Sequence, residues 1–199
     1  MAITAQMVKE LREKTDAPMM DCKKALEASN GDMSAAVDWL RTRGVAKAEK
    51  KSGREMAEGR VEAYIHSNAK VGVLLEMHCE TDFASRNEIF GTVMKDICMH
   101  IAAADPAPIA LDASAIPADL LKREHEIYEG QAKESGKPEQ FWPKIIEGRM
   151  DKFRKSVALL EQPFVKNPDM KIKDLVTDLV AKLGENISVA RFVKFRIGD

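Results

Sequence analysis

The chain has 199 residues, which allows one or two domains and a sizeable hydrophobic core. Hydrophobic residues make up 45% of it and charged residues 32%, with a net charge of −1, so no overall positive field draws it to nucleic acid or membranes. No apolar run approaches the roughly 18–20 residues that span a bilayer, and the N-terminus resembles neither a signal nor a transit peptide. The three cysteines are widely spaced and form no CxxC pair. We therefore expect an intact cytoplasmic protein in a reducing compartment.

Residues 1–44 predict three short helices. Thr4 and Asp32 are suitable N-caps for the first and third, while Ala17-Pro18 and Asn30-Gly31 end the first and second. The predicted buried positions are Met7, Val8, Leu11, Met20, Ala25, Leu26, Ala36, Val37 and Leu40. A unit of this size is marginally stable alone and often works as a docking module.

A charged segment follows. Residues 41–60 contain seven Lys and Arg residues against three Glu, and we assign residues 45–60 to a charged linker that is helical in part. One interpretation is a solvated tether. The alternative is a basic arm that makes the protein an RNA- or ribosome-binding module, although the stretch lacks the interleaved aromatic residues that stack on bases.

The remaining residues, 61–199, predict a core that contains a small sheet. Apolar residues alternate over 61–65 and 71–79 around the polar turn 67–70, which indicates a β-hairpin. A long helix is expected to reach Asp105-Pro106, and further helices are expected over about 118–135, 141–153 and 172–183. Residues 159–168 are expected to be extended, and 187–197 alternate as a final strand whose Arg191 suggests an edge or an interface. The fold class is therefore α+β, with a small antiparallel sheet packed with helices.

Candidate catalytic and metal-binding groups are weak in this sequence. His78-Cys79 and the Cys98/His100 pair have zinc-ligand chemistry, but neighbours on a strand and residues two apart on a helix point in different directions. No nucleophile motif and no phosphate-binding glycine loop is present. We expect no cofactor, no metal, no catalytic residue and no direct nucleotide binding.

The sharpest candidate site is Thr81-Asp82-Phe83-Ala84, between the hairpin and the long helix. Ser85 and Glu88 form an S-x-x-E pattern that predicts a capping box, with Ala84 packing onto the following helix. Phe83 then has no task in starting the helix. It either packs into the joint between sheet and helix or is an exposed aromatic contact for a protein partner.

Several segments, in order along the whole chain, resemble the elongation factor Ts family. The matching segments are Val8-Lys9-Glu10-Leu11-Arg12, Met19-Met20-Asp21-Cys22-Lys23-Lys24-Ala25-Leu26, Asn30-Gly31-Asp32, Cys79-Glu80-Thr81-Asp82-Phe83, His100-Ile101-Ala102-Ala103, Ser135-Gly136-Lys137-Pro138, Glu147-Gly148-Arg149-Met150, Lys152-Phe153 and Gln162-Pro163-Phe164-Val165. Two features depart from the longer members. Ala84 replaces the family's usual valine, and a single hairpin with one closing strand replaces two related halves.

The resemblance implies an N-terminal UBA-like module and a function in translation elongation. Family members promote exchange of GDP for GTP on elongation factor Tu, and residues matching Thr81, Asp82, Phe83 and Ala84 disturb the Mg²⁺ and phosphate contacts of that GTPase. Lys9 and Arg12 match further partner contacts. In short forms a second copy can supply the missing half, so a homodimer or a 2:2 complex is expected.

Overall fold

The computed structural model describes residues 3–198 and confirms the α+β prediction. The helices are α1 Ala5–Thr15, α2 Met19–Ala28, α3 Met33–Glu49, α4 Asp82–Ser85, α5 Glu88–Ala103, α6 Ala118–Glu134, α7 Trp142–Val157 and α8 Ile172–Leu183. The strands are β1 Glu58–Ile65, β2 Val71–Cys79, β3 Pro163–Phe164, β4 Asn167–Lys171 and β5 Ile187–Arg196. Within residues 3–198, no helix is long and apolar enough to cross a lipid bilayer.

The main sheet is small and antiparallel, with the strand order β1-β2-β5. The predicted hairpin is present as β1 and β2, and the His66 N–H donates to the Val71 carbonyl, 2.9 Å away, where the turn begins. The prediction of an edge strand around Arg191 is confirmed, because β5 pairs only with β2 in this order. Arg191 Nε lies 2.5 Å from Glu76 Oε2, so the arginine finds its partner across the strand pair. Strands β3 and β4 form a separate antiparallel pair.

The three predicted N-terminal helices are present and share one buried cluster. It consists of Val8, Leu11, Cys22, Ala25, Leu26 and Ala36. Two predicted core positions are wrong, because Met20 and Val37 are exposed. Pro18 precedes the first residue of α2, which places Met20 in the first turn, while Cys22, Ala25 and Leu26 occupy the inward face.

Helix α3 continues beyond residue 44 to Glu49. Residues 45–49 are therefore helical, as expected for part of the charged linker, because Ala46, Lys47 and Ala48 are good helix formers. Gly44 is buried, and a Cβ built on it would lie 3.3 Å from the Ala181 Cβ of α8. A larger residue at position 44 would therefore require Ala181 to shift by a few tenths of an ångström.

The chain divides into two compact units. Unit 1 comprises the chain up to Glu62 together with Leu75–Lys95 and Asp174–Phe192, and unit 2 comprises Ala63–Leu74, Asp96–Lys173 and the chain from Val193. Unit 1 contains the N-terminal helices and the Thr81–Ala84 segment. Unit 2 contains the helices α6 and α7 and its own apolar cluster of Ala110, Ile116 and Val157. The division at residues 44 and 60 stays a prediction.

Candidate functional site

The segment between β2 and α5 forms a single helical turn, α4, that begins with Thr81. Thr81 has extended backbone angles (φ −132°, ψ 155°), and its hydroxyl oxygen accepts a hydrogen bond from the Ala84 N–H, 3.3 Å away. This is the geometry of an N-cap, a position that threonine favours. Asp82 follows in the first turn, where its negative charge suits the exposed N–H groups of a helix start.

The predicted capping box of Ser85 and Glu88 is wrong. Ser85 lies within α4, and its hydroxyl donates to the Asp82 carbonyl oxygen, 2.8 Å away. Asn87 starts α5 instead, because its side-chain Oδ1 accepts from the Ile89 N–H at 2.9 Å and its carbonyl accepts from the Gly91 N–H at 3.1 Å. Asparagine is among the best N-cap residues, so Asn87 was the sequence signal that the S-x-x-E pattern concealed.

Phe83 points away from the protein. Its exposed fraction is 80%, so the alternative in which it packs into the joint between sheet and helix is wrong. Ala84 and Ser85, the next two residues, are buried and fix the turn to unit 1. The short side chain of Ala84 is therefore a packing residue of the turn, whereas the ring of Phe83 presents an apolar surface without a covering group of its own.

Asp82 lies beside Phe83 and is also exposed. Its Oδ2 lies 3.1 Å from Arg86 Nη2, in a pair four residues apart with both side chains largely in solvent. Exposed pairs of this kind contribute little to stability, because solvent and salt screen them. Asp82 can therefore leave Arg86 and pair with another group with little loss of stability.

Two carboxylates from different parts of unit 1 support the turn. Glu185, in the loop between α8 and β5, accepts from the Thr81 N–H at 3.0 Å and from the Thr81 hydroxyl at 2.6 Å. Glu80 accepts from the Asn186 N–H at 2.6 Å, and this bond holds the pKa of Glu80 below its usual range. Sequence reasoning missed Glu185 and Asn186 because it used Gly184 only as a helix end. The available signal was an acidic and an amide side chain placed directly between that glycine and a strand.

Cys79 completes the support of Thr81. Its thiol donates to the Thr81 carbonyl oxygen, 3.1 Å away, and burial raises the pKa of this thiol. The thiol therefore stays protonated and acts as a donor.

The histidines that have zinc-ligand chemistry have other partners. His78 Nε2 lies 2.7 Å from Glu76 Oε1, and His100 Nε2 lies 2.9 Å from Gln162 Oε1. Among residues 3–198 no cluster of three or more His, Cys, Asp and Glu side chains could hold a metal ion.

Lys9 and Arg12 are exposed on α1, which is a different segment of unit 1 from the turn. They are three residues apart and so share one face of the helix. Lys9 Nζ lies 3.8 Å from Glu13 Oε1 on the same helix, with both side chains mostly in solvent. The pair of basic residues is thus accessible, but no described contact connects it with Phe83.

Much of the positive charge in the basic stretch 41–60 is paired with carboxylates. The ion pairs are Arg41–Asp174 at 3.4 Å, Lys47–Asp21 at 2.5 Å, Arg54–Glu80 at 3.4 Å and Arg60–Glu62 at 2.7 Å. In addition, the guanidinium of Arg43 lies over the Trp39 ring, 5.0 Å from its centroid. The ion pairs reduce the positive field that an RNA-binding arm would need, and the Trp39 ring occupies the guanidinium of Arg43.

Comparison with known proteins covers nearly the full length of the chain. The family described as Elongation factor TS matches residues 3–199. The chain is 55% identical over 199 residues to Elongation factor Ts of Thermodesulfovibrio yellowstonii, covering 100% of this chain and 98% of that protein. It is 53% identical over 198 residues to Elongation factor Ts of Desulfotalea psychrophila, covering 100% of both, and 52% identical over 198 residues to that of Nitratidesulfovibrio vulgaris, covering 100% of this chain and 98% of the other. The chain belongs to the elongation factor Ts family of translation elongation factors.

Proposed function

We propose that this chain is a guanine nucleotide exchange factor that binds elongation factor Tu and promotes the release of GDP from it. The observation that carries the proposal is the exposed Phe83, 80% accessible on a capped turn, beside the exposed carboxylate of Asp82. Exposed aromatic residues on a rigid support are the side chains that dominate protein interfaces. The function requires binding between proteins, with no covalent chemistry and no cofactor on this chain.

The physical basis of exchange is thermodynamic linkage. A factor that binds the nucleotide-free GTPase better than the GDP-bound form must weaken GDP binding by the same coupling free energy. GTPases hold the nucleotide through phosphate-loop amides and a Mg²⁺ ion. In the proposal, Thr81, Asp82, Phe83 and Ala84 form the element that enters the GTPase near these contacts, with Asp82 and Phe83 touching it and Thr81 and Ala84 holding the turn.

A second contact is proposed through the N-terminal helices. Residues 1–44 are proposed to act as a docking module, with Lys9 and Arg12 on α1 binding the same GTPase domain, while residues 45–60 connect it to the core of residues 61–199. Two contacts on one partner raise the effective concentration of each for its own site. That binding energy offsets the strain of opening the nucleotide site.

Phe83→Ala tests the proposal. The rate of fluorescent GDP release from elongation factor Tu is measured by stopped flow at increasing concentrations of the factor. We expect the maximal rate to fall at least about tenfold, because loss of an interface hot spot costs about 2 kcal/mol or more. The unfolding midpoint should stay unchanged, since substitution of an exposed side chain costs less than about 0.5 kcal/mol.

Phe141→Ala is the matched control, because Phe141 is also an exposed phenylalanine but lies in unit 2. This variant should release GDP at the wild-type rate. A folded Phe83→Ala variant with an unchanged rate would contradict the role of the turn. A wild-type chain that leaves GDP release unaccelerated would contradict the function itself.

We also propose that two copies associate through the open face of the sheet. The exposed apolar residues in the part of the sheet that belongs to unit 2 are Ile65, Leu74, Val193 and Phe195, and the exposed Ile197 directly follows β5. Alternation along β5 places Val193 and Phe195 on one face of that strand. Several exposed apolar side chains on paired strands are a typical interface feature, and a dimer that binds two GTPases would be a 2:2 complex.

A further inference from the structure

We propose that Glu185 is a positioning residue for nucleotide exchange, because its carboxylate sets the orientation of Thr81 and hence the direction in which Phe83 points. This inference rests on the proposed exchange function and adds to it a residue 104 positions away in the sequence from the turn that it supports. Glu185 lies in the loop between α8 and β5, outside the motif that carries Phe83.

The first argument is the direction of the Thr81 hydroxyl. The hydroxyl donates its hydrogen to Glu185 Oε1 at 2.6 Å, and its oxygen accepts from the Ala84 N–H at 3.3 Å. A hydroxyl can rotate, and it has one hydrogen to donate. Because the carboxylate takes that hydrogen, a lone pair of the oxygen is directed at the first turn of α4. Glu185 therefore stabilises the cap of the helical turn without touching the helix.

The second argument is the number of atoms by which Thr81 is held. Its N–H donates to Glu185 Oε2 at 3.0 Å, its hydroxyl donates to Glu185 Oε1, and its carbonyl oxygen accepts from the Cys79 thiol at 3.1 Å. Hydrogen bonds to an ionised carboxylate are stronger than those between neutral groups. The residue before Asp82 and Phe83 is thus fixed at every polar atom, which leaves little freedom in where the turn starts.

The third argument is that the two loops exchange bonds reciprocally. Glu185 accepts from the Thr81 N–H, and Glu80, which precedes Thr81, accepts from the N–H of Asn186, which follows Glu185. The Asn186 side chain also donates to the Arg54 carbonyl at 2.9 Å. Such a pair of crossed carboxylate–amide bonds prevents one loop from sliding along the other. The support of Phe83 therefore extends to the segment that follows α3.

Glu185→Ala and Glu185→Gln test the inference in the full chain with elongation factor Tu. We expect Glu185→Ala to lower the maximal rate of GDP release about tenfold, because the turn becomes mobile and a misplaced group loses much of its effect. Glutamine keeps one acceptor for the Thr81 N–H, so Glu185→Gln should lose less. The matched control is Glu161→Ala in unit 2, which removes a carboxylate that likewise has two partners, Lys171 at 2.7 Å and Lys173 at 2.9 Å. With this control variant, GDP should be released from elongation factor Tu at the wild-type rate.

Two further readouts separate positioning from simple stabilisation. In the Phe83→Ala background, Glu185→Ala should lower the rate no further, because Glu185 acts through the turn. In the free chain, the Thr81 and Ala84 amide hydrogens should exchange with solvent faster in Glu185→Ala than in wild type.

The inference would be overturned by a wild-type release rate in folded Glu185→Ala, by additive losses in the double variant, or by unchanged amide exchange. If Glu185→Ala fails to fold, the same comparison is made with Glu185→Gln, and unchanged rates and amides there also overturn it. If wild type itself does not accelerate GDP release, the proposed function fails and the inference falls with it. The amide measurement then still shows whether Glu185 orders the turn.

Discussion

Phe83 is exposed because its neighbours in the turn are buried. Ala84 and Ser85 face unit 1, and Phe83, two residues and about 200° round the helical turn from Ser85, faces the other way. A large apolar side chain in water gains nothing for the fold of the isolated chain. The ring of Phe83 is exposed in the folded chain as in the unfolded one and so adds no stability, whereas a partner that covered it would remove apolar surface from water.

His100 is a second residue whose role depends on its surroundings. The Gln162 amide group donates to the Pro106 and Ser156 carbonyls, so its oxygen faces His100 Nε2 at 2.9 Å. His100 Nδ1 accepts from the Val165 N–H at 3.3 Å. Nε2 must therefore carry the hydrogen and Nδ1 must be bare, which is the neutral form, and burial lowers the pKa of this histidine.

We predict that His100 makes stability depend on pH. The unfolded chain takes up a proton near pH 6.5, the ordinary histidine pKa, whereas folded His100 resists protonation until its lowered pKa is reached. The stabilisation is complete above about pH 6.5 and is lost as the pH falls from there through the folded pKa. Urea unfolding at pH 7.5 and at pH 5 measures this loss.

His100→Gln is the comparison for the pH effect, because the glutamine side chain at position 100 does not titrate in this range. Its free energy of unfolding should change less than that of wild type between the two pH values. Asp178, whose pKa is raised by burial, is present in both proteins and cancels in the difference. Equal pH dependence of the two proteins would contradict the role of His100.

At the scale of elements, two glycines differ in whether the surrounding structure leaves room for a side chain. Gly148 lies within α7, and a Cβ built on it meets no atom within 4 Å. Gly59 lies in β1, where a Cβ would be within 2.4 Å of the Met77 carbonyl oxygen and 3.1 Å of the His78 Cα. Gly148 lowers the stability of α7, and no close neighbour there requires a glycine. Gly59 allows the backbones of β1 and β2 to approach each other closely.

We predict opposite effects of alanine at these two positions. Gly148→Ala should raise the free energy of unfolding by about 0.5–1 kcal/mol, because alanine is the better helix former. Gly59→Ala should lower it by about 1–3 kcal/mol, because backbone atoms must move to admit the methyl group. Thermal unfolding measures both, and 1 kcal/mol corresponds to about 2–4 °C in Tm for a chain of this size. A stabilised Gly59→Ala would contradict the close contact.

At the scale of the whole molecule, the open sheet face is the feature that a single copy leaves unexplained. Phe195 and Ile197, at the end of the chain, have exposed fractions of 67% and 74%. Isolated apolar residues on a surface need no explanation, but exposed Val193 and Phe195 on one face of the edge strand β5 favour association.

We predict that the chain forms a dimer at micromolar concentration and that Phe195→Lys prevents it, because a charge without a partner would be buried in the interface. Light scattering should give twice 22.2 kDa for wild type and 22.2 kDa for the variant. Phe83→Ala, which removes another exposed ring that lies in α4 and not in the sheet, should remain a dimer. A wild-type mass of 22.2 kDa at every concentration would refute the dimer.

The sequence by itself determined most of the helices and strands and singled out the segment from Thr81 to Ala84. Periodicity located the hairpin and the long helices, caps and turn residues located most ends, and the ordered motifs identified the family, because all of these are local patterns. The orientation of Phe83 and the exposure of Met20 were decided by the tertiary structure. So was the support by Glu185, which joins Thr81 across 104 residues. Contacts between residues that distant leave no periodic signal, and side-chain direction at a turn depends on which neighbours are buried, so only the folded chain reveals them.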